Sequence, residues 1–229
     1  MKSNAPIILA LDFPDIQSTL EMIDKTSHLI TVYKVGLEFY LAQGKSGIAQ
    51  IKDSFPNIDI FLDLKLHDIP NTVAGACSSI SELKPRFLTV HASGGGEMVS
   101  AAVGASPGTS ITAVTVLTSL NTVELYKLGL PDQTQILALS MAKRAVEAGA
   151  TSIVCSPLEV GMLRKELSNN ISLITPGVRP KGASRDDQSR VMTPREAMNA
   201  GSDYVVIGRP ITKASDPGKA AAEIASTLE

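Results

Sequence analysis

The most constraining feature of the 229-residue sequence is the alternation of eight short, apolar, β-branched runs with longer helix-like stretches. An order in which a helix follows each strand is typical of a parallel sheet covered by helices. The predicted strands are Ile7–Leu11, Thr31–Val35, Asp59–Leu64, Phe87–His91, Ile111–Leu117, Ser152–Cys155, Ser172–Thr175 and Tyr204–Ile207. The clearest helical stretches are Ile16–Thr26, Leu37–Ser54, Gln133–Ala148, Met192–Ala200 and Pro217–Leu228.

Eight strand–helix units in a chain of this length favour a (β/α)₈ TIM barrel, which typically takes about 250 residues. The alternative is an open, doubly wound sheet, which usually carries a glycine-rich turn after its first strand. Here the first strand ends in Leu11-Asp12-Phe13-Pro14, without glycine. Because no linker or low-complexity tract divides the chain, we predict an α/β fold with one barrel domain spanning residues 1–229.

Composition excludes several classes of function. The 21 basic and 23 acidic residues nearly balance, so no basic field for nucleic acid or for an anionic membrane is expected. Residues Met1–Pro6 lack the pattern of a signal peptide, which favours the cytoplasm. Cys77 and Cys155 are far apart and have no ligand spacing, so we expect buried thiols in a reducing compartment. With three scattered histidines and no metal-binding motif, no metal site is expected.

Charged residues concentrate at the ends of the first three predicted strands. They are Asp12, Lys34, Asp63, Lys65 and Asp68. Side chains two apart on a strand share a face, so Asp63 and Lys65 are both expected to point inward. Because isolated buried ions are costly, the lysines and carboxylates are expected to neighbour one another in a neutral array of Lys34, Asp63, Lys65 and Asp68.

Structural explanations compete with catalytic ones for some of these charges. Asp12 and Asp68 could each cap the helix that follows, and Lys34 could extend its ammonium group out of the strand. Asp63 with Lys65 fits a structural role less well, since a purely structural barrel interior would be aliphatic there. His67 and His91 are interpreted as residues that bond locally rather than as catalysts.

A second polar region follows the last two predicted strands, at Pro176-Gly177-Val178-Arg179 and Gly208-Arg209-Pro210. Barrels frequently bind phosphate at these strand ends through glycine amides, and an arginine adds a bidentate partner. The alternative for Arg209 is a solvated surface arginine. Two long connections, Thr118–Asp132 and Gly177–Val191, are expected to serve function, since loops of that length usually do.

The run Asp63-Leu64-Lys65-Leu66-His67-Asp68-Ile69-Pro70-Asn71-Thr72 closely resembles the signature of the orotidine 5′-phosphate decarboxylase family. The resemblance continues through Ala10-Leu11-Asp12, Tyr33-Lys34-Val35-Gly36, Val116-Leu117-Thr118-Ser119, Thr175-Pro176-Gly177-Val178-Arg179 and Ile207-Gly208-Arg209-Pro210, in the family's order. It implies a metal-free and cofactor-free enzyme that converts orotidine 5′-monophosphate to UMP and CO₂ in pyrimidine biosynthesis.

The resemblance also implies roles for the charged residues. Lys65 would protonate C6 of the pyrimidine after CO₂ leaves, and Asp63 would lie against the substrate carboxylate. Lys34 would complete the charge array and, with Asp12, hold the ribose hydroxyls.

Further roles are implied for the two polar loops. Thr118 and Gln188 would reach the pyrimidine, and Gln188 also the phosphate. Arg179 would belong to a loop that closes over the ligand, with Gly208 and Arg209 on the phosphate.

In the family, the residues matching Asp68, Ile69 and Thr72 project into the neighbouring subunit's site, which implies a two-fold homodimer with shared sites. Two other functions stay open. One is a Mg²⁺-dependent barrel that shares the Asp-x-Lys pair, such as a keto-gulonate phosphate decarboxylase or a hexulose phosphate synthase. The other is a non-catalytic barrel that binds a phosphorylated ligand.

Overall fold

The structure is a computed structural model that describes residues 5–131, 133–179 and 192–228. Its eight strands close into a parallel barrel in sequence order, and β8 pairs with β1. The strands are β1 (Ile7–Leu11), β2 (Val32–Gly36), β3 (Asp59–Leu66), β4 (Phe87–His91), β5 (Ser110–Val114), β6 (Ser152–Val154), β7 (Ser172–Thr175) and β8 (Tyr204–Ile207). The predicted barrel is therefore confirmed.

The described part of the chain has ten α-helices, of which the last two follow β8. The ten helices are α1 (Ile16–Thr26), α2 (Leu37–Ser54), α3 (Pro70–Ile80), α4 (Gly96–Gly104), α5 (Thr122–Lys127), α6 (Thr134–Glu147), α7 (Val160–Glu166), α8 (Pro194–Asn199), α9 (Arg209–Thr212) and α10 (Pro217–Ser226). None of these helices is both long enough and apolar enough to cross a bilayer.

Some predicted bounds match the structure and others differ by two or three residues. Helices α1 and α2 have the predicted bounds, and Asp15 caps the first of them by accepting from the Ser18 amide at 2.8 Å. Strand β5 ends at Val114, three residues before the predicted Leu117, and the connection after it contains α5. Strand β3 instead runs two residues past the predicted Leu64, and its pairing with β4 shifts register between Leu62 and Leu66.

The barrel interior is mainly apolar toward the amino-terminal ends of the strands. A buried cluster there includes Phe61 and Phe87, whose rings meet edge to face at 5.6 Å between centroids. A larger apolar layer lies between the barrel and its helices. Buried hydroxyls also occur lower in the strands, where Thr112 and Ser152 bond to each other at 2.6 Å. Barrel enzymes have their active sites at the carboxyl ends of the strands.

Candidate active site

Three consecutive strands place charged side chains at the carboxyl end of the barrel. Along the inward face of β3, Phe61 is followed by Asp63 and Lys65, and on β2 Val32 is followed by Lys34. Asp12 comes directly after β1. Each of these strands thus changes from apolar to charged toward the same rim.

The charged groups form one chain of ion pairs. Lys65 Nζ lies 2.8 Å from Asp63 Oδ1, and Lys34 Nζ lies 3.6 Å from Asp63 Oδ2 and 2.9 Å from Asp12 Oδ1. Two ammonium groups therefore alternate with two carboxylates. The alternative explanations for Asp12 and Lys34 are wrong, since Asp15 caps α1 and the Lys34 ammonium stays inside the cluster.

Burial makes these pairs electrostatically strong. The side chains of Asp63 and Lys34 are 11% and 13% exposed, against 32% for Lys65. Burial alone would raise the pKa of Asp63, but the ammonium groups of Lys34 and Lys65 outweigh it and hold that pKa below 3.8. Burial likewise opposes the charge on Lys34, yet the carboxylates of Asp63 and Asp12 raise its pKa above 10.5.

Two adjoining cavities share the side chains of Lys34, Asp63 and Lys65. One, of about 220 Å³, is otherwise lined mainly by apolar side chains from β5 to β8 and includes Thr118. The other, of about 170 Å³, is lined by Asp12 and by the start of α2. The cluster therefore faces space for a small ligand with one apolar and one polar part.

A larger cavity, of about 600 Å³, lies elsewhere, between α8 and α10 on the outside of the barrel. It holds no lysine and none of the predicted site residues. Chemistry rather than volume thus identifies the candidate site.

Asp68 lies outside the chain of ion pairs, although the sequence predicted it within the neutral array of charged residues. It follows the end of β3 and is exposed, and its Oδ1 accepts from the neighbouring Ile69 amide at 2.6 Å. Within the described residues it has no cationic partner, and Asp12 occupies the fourth place in the cluster. Nor does Asp68 cap α3, whose N-cap is Ile69 without a side-chain bond.

The predicted phosphate residues lie at the same end of the barrel. A Cβ at Gly208 would lie 3.4 Å from the Ala10 Cβ and 3.9 Å from Asp12 Oδ2, so this glycine lies beside the charged cluster. Arg209 is exposed and begins α9. The Arg179 amide donates to the Met192 carbonyl at 2.9 Å, so the two flanks of the connection are joined. Gln188 lies outside the described residues.

Two residues near Lys65 were not assigned to the site from the sequence. His91 is half-buried and its ring is 5.3 Å from that of His67; burial first, and then His67 and Lys65, lower its pKa. Thr89 on β4 is fully buried, accepts from the Lys65 amide at 2.8 Å and donates to Asp63 Oδ1 at 3.0 Å. A hydroxyl inside the otherwise apolar run Phe87-Leu88-Thr89-Val90 was the available signal.

Residues 5–224 match the model of the Orotidine 5′-phosphate decarboxylase / HUMPS family. This chain belongs to that family. An orotidine 5′-phosphate decarboxylase of Thermobifida fusca (strain YX) is 50% identical over 225 residues, covering 98% of this chain and 96% of the relative. The orotidine 5′-phosphate decarboxylase of Anaeromyxobacter sp. (strain K) is 46% identical over the full length of both chains. The crystal structure of the orotidine 5′-phosphate decarboxylase from Lactobacillus acidophilus superposes with a TM-score of 0.85 at 35% identity, covering 99% of this chain and 100% of that one.

Proposed function

We propose that this chain decarboxylates orotidine 5′-monophosphate to UMP and CO₂, without a metal ion or an organic cofactor. The observation that carries the proposal is the position of the Lys65 ammonium. It lies 2.8 Å from Asp63 and beside a cavity at the carboxyl ends of the barrel strands. Relatives named orotidine 5′-phosphate decarboxylase support it, among them one that is 50% identical over 98% of this chain.

The proposed step breaks the bond between C6 and the carboxylate, so that CO₂ departs and the electron pair stays on C6. The ring does not delocalise that pair, and a fixed ammonium beside C6 therefore stabilises the developing charge at little reorganisation cost. Lys65 Nζ then gives a proton to C6, which completes UMP, and regains one from solvent.

Each remaining cluster residue has a role in this proposal. Asp63 directs the Lys65 ammonium and lies against the substrate carboxylate. Asp12 and Lys34, which adjoin the 170 Å³ cavity, bind the ribose hydroxyls. Thr118, in the lining of the 220 Å³ cavity, contacts the pyrimidine. The phosphate, remote from C6, supplies binding energy that orders the charged groups.

The phosphate is assigned to Gly208 and Arg209, with contributions from Arg179 and Gln188. Gly208 lies beside Asp12, so a nucleotide whose ribose contacts Asp12 brings its phosphate toward this glycine. An arginine beside the glycine supplies charge-assisted hydrogen bonds to phosphate oxygens.

The experiment that tests the function follows the ultraviolet absorbance of orotidine 5′-monophosphate with purified protein in excess EDTA. We expect full conversion to UMP at a rate that added Mg²⁺ leaves unchanged. Activity that is lost in EDTA and restored by Mg²⁺ would instead favour a metal-dependent sugar-phosphate enzyme. Tight binding of UMP without turnover would favour a non-catalytic phosphate-binding barrel.

Replacing Arg209 with alanine is expected to weaken UMP binding by about 2 kcal/mol or more, since a charge-assisted contact is lost. Uridine, which has no phosphate, should bind the variant and the wild type equally. Isothermal titration with both ligands checks this, with Arg144→Ala on the outer face of α6 as the control. Equal UMP affinity in the Arg209 variant and the wild type would remove Arg209 from the phosphate site.

We further propose a two-fold homodimer in which Asp68, Ile69 and Thr72 reach the partner's site. All three are exposed in the single chain, and Asp68 has no cationic partner within the described residues. Large apolar side chains are exposed on segments that follow β2 and β3, with Leu41 at 81% and Ile69 at 66%. A second copy covering this patch would bury apolar surface that a monomer leaves in water.

The double variant Leu41→Glu/Ile69→Glu is expected to be monomeric at micromolar concentration, because it places charges in the proposed interface. Activity should be lost together with the dimer, since each active site would lose the residues that the neighbouring subunit contributes. Sedimentation velocity measures the mass. Leu158→Glu is the control, since it follows β6, across the barrel from β2. A monomeric wild type, or a fully active monomeric variant, would contradict shared sites.

We place the protein in the cytoplasm. Cys77 and Cys155 are both free and buried thiols, as predicted. Burial raises the pKa of each thiol, so the reactive thiolate is disfavoured and neither cysteine is suited to redox chemistry. Such thiols suit a reducing compartment.

A further inference from the structure

Lys65 has an unusual backbone conformation for a residue within a strand. Its φ of 49° lies in the left-handed region, which among the described non-glycine residues only Lys84 shares. At the same place the pairing of β3 with β4 shifts register, since Leu62 pairs with Leu88 but Leu66 pairs with Val90. The residue proposed to donate the proton therefore lies on a β-bulge, where regular hydrogen bonding between strands does not fix the direction of its side chain.

One side chain of the neighbouring strand contacts both sides of this bulge. The Thr89 hydroxyl oxygen accepts from the Lys65 amide at 2.8 Å, and the hydroxyl donates to Asp63 Oδ1 at 3.0 Å. These directions are fixed, because an amide only donates and a carboxylate only accepts. The same Asp63 oxygen also accepts from Lys65 Nζ at 2.8 Å.

These three hydrogen bonds form a closed ring. It runs from the Lys65 amide through Thr89 Oγ1 and the Asp63 carboxylate to the Lys65 ammonium. Thr89 is fully buried, so water does not compete for the two bonds of its hydroxyl. We propose that Thr89 is a positioning residue for the decarboxylation, aligning Lys65 and Asp63 through a single hydroxyl without touching substrate. This inference rests on the proposed function for its catalytic consequence but on the ring alone for its structural part.

Thr89→Val keeps the shape of the side chain and removes the hydroxyl, whereas Thr89→Ser keeps the hydroxyl. We expect Thr89→Val to lower kcat about tenfold or more, since small misplacements of catalytic groups have effects of that size. KM should change little, because ribose and phosphate contacts stay in place. Thr89→Ser should restore most of kcat. A merely structural role would instead lower the melting temperature of Thr89→Val without this split between kcat and KM.

Thr26→Val is the matched control. Thr26 is also a fully buried threonine with hydroxyl bonds, to the Met22 carbonyl and the Tyr33 hydroxyl, but it lies on α1 away from the cluster. This variant should lose stability and keep wild-type kcat. If Thr89→Val keeps wild-type kcat, or if Thr89→Ser fails to recover it, the proposal is overturned.

A second readout separates this proposal from the proposed function. In the full-length protein, NMR hydrogen exchange of the Lys65 amide should be faster in Thr89→Val than in the wild type or in Thr89→Ser. A wild type that does not decarboxylate orotidine 5′-monophosphate contradicts the function, while the exchange rates still decide whether Thr89 fixes the bulge. Unchanged Lys65 exchange in Thr89→Val would contradict the structural part of the inference.

Discussion

Lys65→Ala is expected to reduce kcat for orotidine 5′-monophosphate by about 10⁴-fold or more, because the variant loses both an electrostatic stabiliser and a proton donor. The loss should appear in turnover rather than in binding, since UMP carries no carboxylate and its ribose and phosphate contacts do not involve this ammonium. Stopped-flow absorbance gives the rate, and isothermal titration gives the affinity for UMP.

Lys45→Ala provides the control for removal of a lysine. Lys45 on α2 pairs with Glu82 at 3.0 Å on the surface, outside both cavities that adjoin the cluster. Its variant should match the wild type in rate and in affinity. A Lys65→Ala enzyme with a near wild-type rate would show that the proton comes from another group.

Asp63→Asn is expected to be the most damaging isosteric change, because Asp63 joins both lysines of the cluster. Without its charge, Lys65 loses the carboxylate with which it is paired, and Lys34 keeps only Asp12. Removing one partner of a buried ion pair typically costs about 3–5 kcal/mol. We expect kcat to fall about 10²-fold or more, since Lys65 loses its orientation, and the free energy of unfolding to fall at neutral pH.

The stability loss of Asp63→Asn should depend on pH in a defined direction. The wild-type pKa of Asp63 is lowered below 3.8 by the two lysines, so its stabilisation is complete above that value. It is lost as the pH falls through the lowered folded pKa, and the two proteins should converge in strong acid. Urea unfolding at several pH values measures this.

Asp59→Asn is the control for Asp63→Asn, since Asp59 lies at the other end of β3 and pairs with Arg86 at 2.8 Å. It should keep wild-type kcat. An Asp63→Asn variant that matches the wild type in both rate and stability would contradict the role of the ion-pair chain.

Much of the barrel could be predicted from local pattern. The run Ile7–Leu11 is apolar throughout, as in strands buried on both faces, and the observed strand has the predicted bounds. Charges at the ends of such runs were equally informative. Placing Asp63 and Lys65 inside an apolar barrel requires a neighbouring counter-charge, which the structure supplies through Lys34 and Asp12.

Other features depend on contacts that a single sequence does not reveal. Simple alternation along β3 places Asp63 and Lys65 on one face, but the bulge at Lys65 depends on the pairing of β3 with β4. Thr89 enters the site through that pairing, 24 residues beyond Lys65. The sequence predicted Asp68 beside Lys65 of the same polypeptide. In the structure its carboxylate instead accepts a hydrogen bond from the Ile69 amide, beyond the end of β3.

The most direct measurement of the central claim is a crystal structure of the protein with UMP bound. We predict that the Lys65 ammonium lies within about 3.5 Å of C6, still paired with Asp63, with the ribose at Asp12 and the phosphate at Arg209. A pyrimidine bound away from Lys65, or an Nζ turned toward solvent in that complex, would contradict the account.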